Sequence, residues 1–181
     1  MLEILTERLR LRPFDVEDLP AFVTYRSAPE VARYQSWDAT FSMIDAERFL
    51  GGQQEVVFGQ PGVWVQLAAI DRASGALWGD CAVRVAAGQP ATAEVGVTFA
   101  PQCQGRGLAS EALRAVVSTL FEDLRLHRIF AEADDRNASV HRLLERLAFR
   151  GEARMVEADW FKGEWTSVRV YALLRREWQA H

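Results

Sequence analysis

The residues best suited to chemistry lie in the run Gln102-Cys103-Gln104-Gly105-Arg106-Gly107, between an alternating segment that ends at Phe99 and an amphipathic one that opens near Gly107. A turn that opens a helix leaves several backbone N–H groups free, and the helix dipole adds partial positive charge there. Glycines let that backbone approach an anion closely, so the run reads as a cradle for a pyrophosphate. The competing reading is a plain glycine-rich turn from strand to helix. A Walker loop is excluded because no Gly-Lys-Ser/Thr follows. A dinucleotide fingerprint fits poorly. Ser110 stands where Gly or Ala is wanted, and Asp123 is only loosely placed for the ribose acid.

Other chemistry-bearing residues are few. Glu94 opens the alternating strand, and Asp159 lies just before the aromatics Trp160, Phe161 and Trp165. A carboxylate among aromatics is partly desolvated, which raises its pKa toward a useful value for a base. Trp37 and Trp64 join those three as candidates for an acceptor-pocket wall, each with a core role as the alternative. Cys81, Cys103, His127, His141 and His181 show no C-x-x-C and no paired-histidine spacing, so no metal is expected. No sequence motif places a histidine beside Cys103, which is read as incidental to the turn.

The elements that must position these residues follow from periodicity. Arg8 to Arg12 alternates as a short strand stopped by Pro13. Asp15 is expected to cap a helix through about Arg26 that starts late or bends at Pro20. Short helices follow at Pro29 to Tyr34 and Asp45 to Val57. Strands are expected over 62–70, 76–85 and 93–99, with turns at Asp71-Arg72-Ala73-Ser74-Gly75 and Gly88-Gln89-Pro90. Gly105 to Asp123 is the strongest helix, with Ala109, Leu113, Val116, Val117, Leu120 and Leu124 on its inner face. A strand at 128–133 and a helix from Asn137 to Ala148 precede a hairpin of 149–160 with 165–174. Gly96 in mid-strand suggests a bulge or splay that frees pairing groups for a ligand, or a packing glycine. The order implies one α/β layered domain over residues 1–181, with a mixed, partly antiparallel sheet flanked by helices and closed by a C-terminal hairpin. The strand-helix-strand unit from Ala93 to Ala133 should be a crossover with parallel strands.

At 181 residues, 49% apolar and 25% charged, the chain is sized and composed as one globular domain. A net charge of −4 excludes a strongly basic nucleic-acid binder. No apolar run is long enough to span a membrane, and the acidic Met1 to Arg8 segment is unlike a signal peptide. Two cysteines are too few for a disulfide scaffold, which points to a reducing, cytoplasmic compartment.

The run Glu94-Val95-Gly96-Val97-Thr98-Phe99-Ala100-Pro101, followed by Gln102-x-x-Gly105-x-Gly107-Leu108-Ala109-Ser110-Glu111-Ala112, resembles the acyl-CoA-binding motif of the GNAT N-acetyltransferase superfamily. Asn137-Ala138-Ser139, Leu143-Leu144-Glu145 and Ala148-Phe149 resemble its next motif. Leu5-Thr6-Glu7-Arg8-Leu9-x-Leu11-Arg12 and Tyr171-Ala172-Leu173-Leu174 resemble the ribosomal-protein N-terminal acetyltransferase (Rim-type) branch. The resemblance implies direct transfer of acetyl from acetyl-CoA to a primary amine, with no covalent enzyme intermediate. The acceptor is either a protein or peptide N-terminus or a small amine such as a polyamine, aminoglycoside or amino acid. A non-catalytic acyl-CoA-binding module is the alternative. No nucleic-acid or membrane partner is implied, and either a monomer or a homodimer is compatible.

The same resemblance assigns the acyl-CoA cradle to Val95, Val97, Thr98, Gln102, Cys103, Gln104, Gly105, Arg106, Gly107, Leu108 and Ala109, with Asn137 on the pantetheine arm or, alternatively, capping the helix that follows. Backbone N–H groups of the strand from Glu94 to Phe99 are candidates for the oxyanion donors. Asp159, ahead of Glu94, is the expected general base. Leu144 stands where many relatives place a tyrosine acid. Ser139 matches the serine implicated in the Rim-type branch and reads either as proton donor or as helix cap.

Overall fold

The alternation at the N-terminus is borne out by burial. In the computed structural model, which describes residues 2–180, Leu9 and Leu11 are fully buried in strand β2 (Leu9–Pro13) while Arg10 is exposed. Met1 and His181, both included in the sequence reading, lie outside the described residues. A short strand β1 (Ile4–Leu5), unforeseen, pairs antiparallel with β2. Pro20 delays the first helix as expected: Val16–Asp18 form a 3-10 turn and α1 runs Leu19–Arg26 with Pro20 in its first turn. Next comes α2 (Pro29–Ala32), shorter than the run to Tyr34. The third helix, α3 (Met43–Gln53), starts before Asp45 because Ser42 is its cap. Ser42 Oγ accepts from Asp45 N (3.3 Å) while the Asp45 carboxylate accepts from Ser42 N (2.9 Å), which makes Asp45 the reciprocal half of a capping box.

The meander is β3 (Trp64–Asp71), β4 (Leu77–Val85) and β5 (Thr92–Phe99). Then follow α4 (Leu108–Glu122), β6 (Arg128–Asp134), α5 (Ala138–Arg146), β7 (Arg150–Phe161), β8 (Glu164–Leu174) and an unforeseen C-terminal turn of helix α6 (Arg175–Trp178). Leu124, expected inside, lies beyond α4 and is exposed. The eight strands form one sheet ordered β1-β2-β3-β4-β5-β6-β8-β7, so β8 inserts beside β6 and β7 becomes the edge. Every neighbouring pair is antiparallel except β5 with β6, as the crossover requires.

Helices cover the sheet unevenly. On one face α4 buries Leu113, Val116, Val117 and Leu120 over the core, and the α5 residue His141 stacks on Tyr171 of β8 (centroids 5.5 Å apart). On the other, α1 is tied to β4 through Asp80, which is 1% exposed. Asp80 accepts from the Tyr25 hydroxyl and from Gln66 Nε2 (2.7 Å), and Arg26 lies 3.8 Å away. A buried carboxylate held by donors and a cation avoids the large penalty of an unpaired charge. The Arg26 guanidinium is sandwiched by Phe22 and Trp37 (4.3 and 3.7 Å to the ring centroids), so Trp37 belongs to this packing. Among the described residues no helix is long and apolar enough to cross a membrane.

Candidate active site

The sheet opens in its middle. β5 and β6 pair only over Thr92–Arg128, Ala93–Ile129 and Glu94–Phe130, and then part. Gly96 is not a bulge: it pairs with Ala82 in an unbroken β4–β5 register. The freed pairing groups come from the splay on the β6 side instead. Their identity follows from the ladder. Ala86 N donates to Thr92 O and Ala100 N to Trp78 O at its two ends, so the even residues of β5 bond to β4. The backbone groups of Val95, Val97 and Phe99 therefore face the gap. Gln104 Nε2 covers one of them by donating to Phe99 O (2.9 Å). An N–H row facing an open cleft is what developing negative charge on a carbonyl oxygen needs.

The gap continues into a cleft of about 480 Å³. Its walls contain Val95, Val97 and Thr98 from β5, Cys103, Gln104, Gly105, Gly107, Leu108 and Ala109 from the turn and α4, and Asn137 and Ser139 at the start of α5. Of the residues expected to bind or react, Gln102, Arg106, Glu94 and Asp159 are outside that lining. Gln102 and Arg106 are exposed on the outer side of the turn, where Arg106 lies over Trp78 (4.9 Å).

The turn is shaped by left-handed glycines. Gly105 and Gly107 have φ of +71° and +81°, a region that strains other residues, and Gly107 is the N-cap of α4. Glu111 N is the first helical N–H to bond back, to Gly107 O (3.0 Å), leaving those before it for an anion. The turn is clasped from β1–β2. Thr6 Oγ1 and Arg8 N donate to Glu111 Oε1 (2.5 and 2.8 Å), Arg8 Nε to Glu111 Oε2 (2.6 Å), and Arg8 Nη1 to Arg106 O (3.0 Å). Desolvation would raise the Glu111 pKa, but these hydrogen bonds outweigh it and hold the carboxyl below its ordinary value.

At α5 the cap is Asn137, whose Oδ1 accepts from Val140 N (3.3 Å). Of the two residues read as possible caps, Asn137 takes the role; Ser139 sits inside the first turn, exposed in the cleft wall, so its capping alternative is not met. Leu144 also lines the cleft, so this position offers an apolar side chain and no hydroxyl. Burial pushes the Cys103 thiol up, and the wholly buried Cys81 thiol further, so neither is poised as a thiolate.

The two expected carboxylates have other surroundings. Glu94 is ion-paired with Arg84, which lies over Trp64 (4.8 Å); Trp64 is thereby placed beside β4. Asp159 is exposed on the edge strand β7, opposite Thr166 and just past a bulge over Met155–Asp159. Trp160 and Trp165 are also exposed and meet edge to face (5.4 Å) at the hairpin tip. Lys162 Nζ pins that tip by donating to Ala32 O and Trp37 O (2.7 Å each), close to the Glu30 to Gln35 segment that forms the cleft's other lip. Sequence reasoning missed Glu132, which lines the cleft from β6. Its one signal was its place on the strand paired with the motif strand. Partial desolvation in the cleft and then the negative charge of Glu94 hold its carboxyl above the ordinary value; Arg84 opposes this and Asp159 adds to it.

Comparison with known proteins agrees with this geometry. A profile of the acetyltransferase (GNAT) domain matches residues 8–150. An uncharacterized N-acetyltransferase of Bacillus licheniformis, p20, is 28% identical over 98% of this chain and 99% of its own length. An acetyltransferase (GNAT family) from Bacillus anthracis superposes with a TM-score of 0.85 at 26% identity, over 97% of this chain and 100% of that one. A spermidine N-acetyltransferase from Vibrio cholerae, solved in complex with CoA and spermine, shares the fold at 20% identity (TM-score 0.82, 96% and 99% covered).

Proposed function

Given that the chain belongs to the GNAT acetyltransferase family and is an acetyl-CoA-dependent N-acetyltransferase, we propose that its acceptor is the free N-terminal amine of a protein or peptide. The observation that carries this reading is the mouth of the cleft. It is open, bears the Glu132 carboxylate, lies within reach of the charges of Glu94 and Asp159 just outside its lining, and has the exposed Trp160–Trp165 hairpin tip pinned across to its α2 segment. Carboxylates draw in an ammonium group. An exposed aromatic pair offers area to the side chains that follow it in a peptide. The resemblance of Leu5–Arg12 and Tyr171–Leu174 to the Rim-type branch supports the same acceptor.

Acetyl-CoA, when bound, supplies an activated acetyl thioester. The residues present fit it: a left-handed glycine turn with free N–H groups for the pyrophosphate, an unpaired strand edge, and a cleft between α4 and α5. In this reading the N–H groups of Val95 and Val97 hold the thioester oxygen as it gains charge. Asn137 orders the α5 terminus and hydrogen-bonds the pantetheine arm. Ser139, free of the capping role, donates to the departing sulfur. The enzyme works in the cytoplasm, where reduced cysteines such as Cys81 and Cys103 persist.

The test compares kcat/KM for peptides with free N-terminal Ala, Ser or Asp against polyamines, aminoglycosides and amino acids. A free N-terminal peptide should be preferred by at least tenfold, and N-acetylated controls should be inert. A polyamine preferred over every peptide would move the acceptor to the small-amine class. Glu94→Gln and Asp159→Asn should raise KM for cationic acceptors more than they lower kcat. Equal KM in both variants would remove them from acceptor attraction.

A further inference from the structure

We propose that Lys162 is a positioning residue of the acceptor mouth: it latches the β7–β8 hairpin tip to the loop after α2, and affinity for peptide-length acceptors depends on that latch. The proposal rests on the reading above, that a peptide amine enters by this mouth. Lys162 is the only lysine in a chain otherwise supplied with arginine. It takes the first position of the two-residue turn between β7 and β8, with φ of +50°, and Gly163 follows at +86°. Turns with two positive φ angles favour Asn, Asp or Gly at that position. A lysine there is strained, and persists where its surroundings hold it.

Three acceptors hold it. Lys162 Nζ donates to Ala32 O and Trp37 O (2.7 Å each) and lies 3.2 Å from Asp38 Oδ1. One ammonium thus grips both ends of the loop over 33–36, whose Tyr34 and Gln35 line the cleft. An ammonium can aim separate donors at acceptors that converge on one nitrogen, whereas a guanidinium spreads its donors in a planar fork. The sheet does not supply this hold. β8 pairs with β6 only as far as Val168, opposite Asp134, with one further bond from Asp135 N to Ser167 O (2.9 Å). The tip's own pairs, Asp159–Thr166, Trp160–Trp165 and Phe161–Glu164, stand beyond the bulge over Met155–Asp159. The loop, by contrast, is anchored in the core. Trp37 lies on the buried Arg26 guanidinium (3.7 Å to the ring centroid), and its Nε1 donates to Arg26 O (3.1 Å). A second tie, from Arg136 Nη1 to Glu164 (2.7 Å), is exposed on both partners and adds little. Lys162 therefore carries the anchorage of the loop out to Asp159, Trp160 and Trp165. The charge of Asp159 acts on Glu132 in the cleft wall, which places the tip beside the cleft. An aromatic pair already held in place binds a peptide without the entropic cost of ordering the tip. A short amine does not reach the pair and gains nothing from it.

The test uses the full chain with Lys162→Met, which keeps a long side chain and removes the ammonium, and with Lys162→Arg. Lys162→Met should raise KM for a free N-terminal peptide by about fivefold or more and change kcat less, while KM for a single amino-acid amide and the CoA affinity stay within about twofold. Lys162→Arg should not restore the wild-type KM. Since no other lysine competes, wild type acetylated by an N-hydroxysuccinimide ester, with the modification confirmed by mass, should behave as Lys162→Met does. The same treatment of Lys162→Met, which controls for the α-amine, should change nothing further. Amide hydrogen exchange in the unliganded variant should be faster over 159–166 and unaltered over 169–174. Unaltered exchange at the tip overturns the latch, and faster exchange with a wild-type peptide KM overturns its role in acceptor affinity. A wild-type KM after acetylation of Lys162, or an equal rise in KM for the peptide and the amide, does the same. A wild type that prefers a polyamine to every peptide overturns the acceptor reading instead; tip exchange and the KM of that polyamine then decide the latch.

Discussion

At the scale of single residues, what each group can do is set by what surrounds it. Gly107 caps α4 at φ +81°, with the Arg8 guanidinium 3.5 Å from where a Cβ would be. Gly107→Val strains that backbone and puts branched carbons where a phosphate approaches. CoA affinity measured by calorimetry should fall at least tenfold, about 1.4 kcal/mol; unchanged affinity in a folded variant would count against the cradle. Burial raises both thiols, so Cys103→Ala and Cys81→Ala should each keep most activity. An acetyl adduct on either cysteine, trapped by intact-mass analysis and chemically competent, would contradict direct attack. The glycine turn was legible because strand, glycines and helix are contiguous in the chain. Glu132 was not, because its importance comes from a gap between two strands joined through α4. Nor could sequence show that Arg84 occupies Glu94, since a cross-strand pair is set by register.

At the scale of elements, the phosphate turn depends on a segment far from it in sequence. The β1–β2 connection holds α4 through Thr6, Arg8 and Glu111, and this clasp orders the backbone that would meet an anion. Arg8→Ala should weaken CoA binding several-fold and lower the melting temperature by roughly 2–4 °C, as about 1 kcal/mol does in a domain of this size. The pH dependence has a fixed sign. Since the folded Glu111 pKa is depressed, its stabilisation is complete above the ordinary glutamate value and is lost as pH falls through the folded one. Arg8→Ala should therefore narrow the stability difference between neutral and acid solution; an unaltered acid profile would show that the clasp does not act through this carboxylate. Element types were largely readable because alternation and helical spacing were strong, as in β5 and α4. Ends were less so. Ser42 moved the start of α3, and spacing alone left both Asn137 and Ser139 as possible caps of α5, because caps depend on side-chain geometry that spacing does not carry.

At the scale of the whole molecule, one sheet supplies both a rigid frame and an opening. Antiparallel pairing is continuous from β1 through β5 and from β6 through β8 to β7. The single parallel junction parts midway, so the cleft is built into the topology. Its α4–α5 side has free N–H groups and glycines for an anion, Glu132 lines it from β6, and Glu30 and Tyr34 stand on the α2 lip. The sheet order, with β8 inserted between β6 and β7, was not readable from the hairpin alone, since either strand of a hairpin can face its neighbour. If this cleft transfers acetyl from acetyl-CoA directly to an amine, thiol release in the presence of peptides with free or blocked N-termini reads the transfer out. Thiol should appear only with the free amine and in equal amount to acetyl found on the peptide's first residue. Tight CoA binding with no thiol released by any peptide or small amine would contradict it and leave an acyl-CoA-binding module.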